Sequence, residues 1–106
     1  MKRYKIVMYV PEPHADALRD AIGKAGAGVI GNYSHCTFSI KGVGRFKPEK
    51  GANPTVGEVG TLEAVEEERI ETVCSEEKLK EVLAAIKKVH PYEEPATDVY
   101  PIEVID

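Results

Sequence analysis

The chain has 106 residues, 42% of them hydrophobic and 30% charged, and a formal net charge of −4. That size and balance fit one globular domain with a modest core. They exclude a phosphate-backbone binder, which needs a basic patch to release counterions, and no apolar run approaches the roughly 20 residues of a membrane-spanning helix.

The first residues, MKRYKIVMYV, place basic groups before apolar ones but offer no small-residue cleavage site. They alternate as a strand does, so they are read as structure and not as a secretory leader. In a strand over 3–10, Ile6, Met8 and Val10 share one face with Tyr4, while Val7 and Tyr9 make the other face apolar too. Such a strand is central, or is covered by a second subunit. Pro11-Glu12-Pro13 suits a first helical turn. Ala17, Leu18, Ala21, Ile22 and Ala25 then form a stripe at helical period, and Gly26-Ala27-Gly28 stops the helix.

His35 to Lys41 has the composition of a strand. Cys36, Phe38 and Ile40 would face one way, and His35, Thr37 and Ser39 the other, which makes Cys36 a core thiol. Gly42-Val43-Gly44 is expected to turn the chain, with Arg45-Phe46-Lys47 as a second arm. Residues 48–61 read as a glycine- and proline-containing loop long enough to carry function. Glu63 to Val73 is ambiguous: its glutamates favour helix, but its later half alternates and is β-branched, so a strand is expected. Ser75 suits an N-cap. Leu79, Val82, Leu83, Ile86 and Val89 fit one helical face, and Pro91 ends that helix after His90. Thr97 to Val104 is a last strand, placed at an edge because Pro101 lacks a backbone donor.

The order βαββαβ is the α+β, ferredoxin-like arrangement. It gives a single domain over 1–106, an antiparallel sheet with two helices on one face, and an elaborated loop between the middle strands. The apolar second face of the first strand implies covering by a homo-oligomer. Two cysteines without a CxxC pattern point to reduced thiols in the cytoplasm, with a Cys36–Cys74 disulfide as the alternative.

The segment His90-Pro91-Tyr92-Glu93-Glu94-Pro95 concentrates an imidazole, a phenol and two carboxylates between prolines. Imidazole and carboxylate suit a divalent transition metal. The plainer alternative is a helix end with solvated or backbone-bonded glutamates. His35, His90 and Glu93 form the candidate metal set. The glutamates at 63, 66, 67, 68 and 71 read first as a solvated face, with pairing to Arg69 or to a cation as the other options. The glycine loop has no P-loop lysine motif, and Ser34-His35 has no hydrolase elbow around it.

Several blocks carry a resemblance. Gly42-Val43-Gly44-Arg45-Phe46-Lys47-Pro48, Gly51-Ala52-Asn53-Pro54, Gly57-Glu58-Val59-Gly60, Arg69-Ile70-Glu71, Asn32 to Cys36 and His90 to Pro95 together resemble the Nif-three-like family (the NGG-one-interacting-factor group). The family's inserted domain is similar in fold to PII and to CutA, and CutA shares the His-Pro-Tyr-Glu segment. The resemblance covers nearly the whole chain, which implies the insert as a protein by itself. The family's two-metal site takes its ligands from flanking lobes, so its metallohydrolase-like activity is not implied for this chain.

The resemblance implies a homo-oligomer, with a trimer favoured over a dimer. It also implies a non-catalytic binding or regulatory module with no nucleic acid or membrane role. Gly44, Phe46, Tyr92 and Glu94 are the expected ligand-binding residues around a cleft, and a protein partner is a further option. CutA-like divalent metal binding and an enzyme of undefined type are the alternatives.

Overall fold

A computed structural model describes residues 2–105. β1 (Arg3–Pro11) is followed by a single 3-10 turn (Glu12–His14), α1 (Ala15–Lys24), β2 (Phe38–Phe46), β3 (Glu63–Ser75), α2 (Glu76–Val89) and β4 (Thr97–Ile102). The sheet runs β2-β3-β1-β4 and every pairing is antiparallel. The ferredoxin-like expectation is met. β1 lies inside the sheet and β4, with Pro101, at its edge. Among the described residues, no helix is long and apolar enough to cross a membrane.

Alternation decides which face each strand residue joins. Ile6, Met8 and Val10 of β1, Ile70 and Cys74 of β3, Leu18 and Ile22 of α1, and Val82 and Ile86 of α2 close the core. Each aliphatic side chain buried there contributes about 1.5–3 kcal/mol. Above the core, Arg19 of α1 reaches the sheet. Its guanidinium donates to Glu68 (2.6 Å), Ser39 (3.0 Å) and Asp16 (2.6 Å), fixing α1 over the β2–β3 pair. The opposite face of the sheet carries no helix.

Several local expectations change. Ser75 stands at the N-cap of α2, but its hydroxyl caps nothing. The Glu76 amide donates instead to the Lys2 carbonyl (3.0 Å), so the start of the chain holds the helix end. The Gly42-Val43-Gly44 turn does not form: β2 runs straight through these residues, paired to Glu67, Glu66 and Val65. Strand pairing with β3 overrides the local turn preference of glycine.

The strand expected from His35 begins only at Phe38, because His35 has a left-handed backbone (φ 61). Cys36 is therefore half-buried and outside the core, while Cys74 is inside it. Both thiols are free, and burial pushes that of Cys74 up. Gly28 shows why this connection is fixed. It has φ +79, its amide donates to Val73 (2.7 Å), its carbonyl accepts from Cys36 (3.0 Å), and a Cβ would strike the Cys36 backbone.

The ends of the outer pairings define two landmarks. Arg3 of β1 lies opposite Ile102 of β4. At the other end, β4 stops opposite Met8 and β1 stops opposite Glu67, so Glu63 to Glu66 of β3 extend past both, paired only to β2. The core assignment gives an expected outcome. Leu18→Ala should lower the unfolding free energy by about 2–5 kcal/mol, whereas Cys36→Ala should change it by no more than about 0.5 kcal/mol. Urea denaturation of the two variants checks this.

Candidate functional site

The site lies on the face without helices, where the sheet narrows to β2 and β3. It is built from four segments: β2, the middle of β3, the 48–61 connection between them, and residues 90–96 leaving α2.

His90 sets the path of that exit. Its ring is buried, its Nε2–H donates to the Tyr9 carbonyl (2.6 Å), and its Nδ1 accepts the Tyr92 amide (3.1 Å). A carbonyl only accepts and an amide only donates, so these partners fix the neutral Nε2–H tautomer. Burial lowers the basicity of His90 below the ordinary value of 6.5; the nearby His14 adds to this, and the Tyr9 bond and Glu67 oppose it.

The chain then turns Tyr92 onto the open sheet face. The Tyr92 hydroxyl donates to Glu67 Oε2 (2.7 Å), and its ring meets those of Phe46 (centroids 5.6 Å) and His90 (5.1 Å). Burial, with the hydrogen bond to Glu67 and its charge behind it, pushes the Tyr92 phenol above its ordinary range. Glu67 is 8% exposed. Its carboxylate lies against the backbone of Gly44, where any Cβ would collide with it. Gly42 and Gly44 both face this side, so β2 offers a strip of bare backbone along the site.

The connection between β2 and β3 folds over the same region. Thr55 donates to the Pro91 carbonyl (2.8 Å), and the Asn53 amide donates to Glu93 Oε2 (3.1 Å). Together these parts enclose a groove of about 720 Å³. Its walls are Ile40, Phe46, Pro54 and Val56; its polar groups include Tyr92, Glu67, Arg69, Glu93 and Glu94. Arg69 donates to Glu71 (3.1 Å) and lies over the Tyr9 ring at 5.9 Å, while Lys5 pairs with the same Glu71 (3.3 Å).

The four residues expected to bind a ligand, Gly44, Phe46, Tyr92 and Glu94, all line this groove. The residues expected to hold a metal are not brought together. His35 packs over Gly23 of α1 and bonds to the Ser34 hydroxyl (3.0 Å). Both ring nitrogens of His90 are engaged, and Glu93 accepts a backbone amide. Among the described residues, no three His, Cys, Asp or Glu side chains form a group that could hold a metal ion.

Sequence reasoning left Glu67 within a solvated acidic run. Its signal was positional: in the strand register it faces the same way as Gly42 and Gly44, two neighbouring positions with no side chain to cover it.

No known family profile matches the chain. The architecture is that of the CutA and PII-like proteins. CutA from Archaeoglobus fulgidus superposes at TM-score 0.70 (21% identity, 96% of this chain and 85% of that one), and Bacillus subtilis GlnK at 0.63 (16%, 96% and 84%). Closer in sequence is the "GTP cyclohydrolase 1 type 2 homolog" of Halalkalibacterium halodurans, 58% identical over 99 residues. These are 93% of this chain and 27% of the relative. The Bacillus subtilis protein of the same name is 54% identical over 99 residues, 93% of this chain and 26% of its own. A Bacillus cereus protein related to NIF3 superposes at TM-score 0.85 with 48% identity, over 97% of this chain and 26% of that one. The chain is thus homologous to one segment of the NIF3-related proteins, and spans about a quarter of their length.

Two outcomes test the site. Tyr92→Phe deprives a buried carboxylate of its donor and should cost about 1–3 kcal/mol of stability, measured by chemical denaturation. His90 has a folded-state pKa below its unfolded one, so its contribution is fully present above about 6.5 and is lost as pH falls through the lower folded value. The denaturation midpoint should therefore drop as pH falls below 6.5, and His90→Gln should flatten that drop.

Proposed function

We propose that this chain is a cytoplasmic, non-catalytic binding module. It associates with copies of itself through the open sheet face and holds a small ligand in the groove beside Tyr92. The observation that carries the reading is the convergence of the β2 backbone strip, the 48–61 connection and the 90–96 segment on one preformed, largely apolar pocket. A volume of this size with a few fixed polar groups is the ordinary form of a small-molecule site.

The polar groups are already bonded to one another: phenol to carboxylate, guanidinium to carboxylate. Such groups are fixed in place to orient a ligand. The name borne by the relatives belongs to chains of which this one matches about a quarter, and that activity is not assigned to this segment.

Association is supported by the apolar groups left at both edges of the open face. Phe38 is 62% exposed and Ile40 51% on β2, and Tyr100 is 47% exposed on β4. Val7, at the middle of the same face, is already covered within the chain, so the drive to associate rests on the edges and not on β1. The likeness to CutA and GlnK is consistent with a ring of three copies. Sedimentation analysis at micromolar concentration should give a homo-oligomer, and Phe38→Glu combined with Tyr100→Glu should convert it to a folded monomer. A wild-type chain that sediments as a monomer would refute the association.

A further inference from the structure

Glu67 differs from the acids around it. Glu71, two positions along the same face, is neutralised by Lys5 and Arg69, and Glu68 on the opposite face by Arg19. Glu67 is more buried than either, yet takes part in no ion pair among the described residues. Among the described residues its one hydrogen-bond partner is the neutral Tyr92 hydroxyl. A carboxylate removed from water without a counter-charge is costly, and structures normally supply a cation beside it. Several neighbouring cations are held elsewhere, and Arg45, which also lines the groove, starts from the opposite face of β2 and forms no ion pair with Glu67 among the described residues. Arg69 is bonded to Glu71 and drawn over Tyr9, Lys41 pairs with Glu12, and Lys47 with Glu49.

The surroundings of Glu67 are also those that favour a cation. It lies in the groove beside the rings of Phe46 and Tyr92, whose faces attract positive charge. Gly44 has no side chain to displace that carboxylate from the floor of the groove.

We propose that the groove takes a small organic cation: an ammonium or amidinium group on an apolar body, with Glu67 as its counter-ion and Phe46 and Tyr92 as its aromatic walls. This rests on the groove being a ligand site, and it names the class of ligand. The cation brings N–H donors to the carboxylate, and the apolar body occupies the space lined by Ile40, Pro54 and Val56. The groove volume suits a free small molecule, and the commitment here is to that source.

The test is a nitrogen-15 correlation spectrum of the chain titrated with three probes of matched size: benzamidine, benzyl alcohol and benzoate. Benzamidine should shift the amide signals of Gly44, Glu67 and Tyr92 saturably. Benzyl alcohol should bind at least tenfold more weakly, and benzoate should not bind. Glu67→Gln keeps an oxygen for the Tyr92 hydroxyl, and should weaken benzamidine at least tenfold while leaving the remaining spectrum in place. Equal binding of benzamidine and benzyl alcohol, or benzamidine binding unchanged in Glu67→Gln, overturns the cation assignment and leaves a neutral-ligand groove. Absence of groove shifts with all three probes overturns the groove as a ligand site as well.

Discussion

The His90 ring ties the end of α2 to the end of β1 through the Tyr9 carbonyl, and with its other nitrogen holds the amide that starts the turn toward the sheet. The second bond requires the uncharged ring, and burial favours that form. From that anchor the chain can run only one way, between two prolines, around the place where β4 has not yet begun. Tyr92 then falls over the open face and meets Glu67, and the 48–61 connection is tied to the same segment through Pro91 and Glu93. The groove is thus a consequence of how one helix ends.

Edge position makes the rest workable. Glycines inside a strand weaken it, yet β2 carries two within three residues, at the edge of the sheet. On the open face they expose backbone and leave room for the Glu67 carboxylate, which a side chain at position 44 would displace. What the strand loses in packing it regains as a floor for the groove. The same edge leaves Phe38 and Ile40 unburied.

Most of the architecture could be read from periodicity. The core faces of β1 and α2 follow from Ile6-Met8-Val10 and Val82-Ile86, and Pro101 places β4 at an edge. What escaped local reading was decided by partners distant in the chain. Gly42 to Gly44 looks like a turn until β3 pairs with it. His35 and Cys36 look like strand until a left-handed residue and a fit over Gly23 take them out of it. Gly44, Phe46, Tyr92 and Glu94 stand in the blocks that carry the family resemblance, and they line the groove. Glu67 was hidden in a run of like charges, because its isolation depends on which lysines and arginines reach its neighbours. The candidate metal set assumed that residues of suitable chemistry would meet, and folding gave each of them a different hydrogen-bond partner.

The pairing of Arg3 with Ile102 brings the first and last strands side by side at one end of the sheet, about 5 Å apart as neighbouring strands are. A unit whose entry and exit are adjacent can be spliced into a surface loop of another fold with little distortion of either. The same pairing would let such a guest fold without reference to its host, and any change in the relative position of Arg3 and Ile102 would be felt by the host as a change in loop span. Adjacent ends thus suit a unit that matches about a quarter of each longer relative.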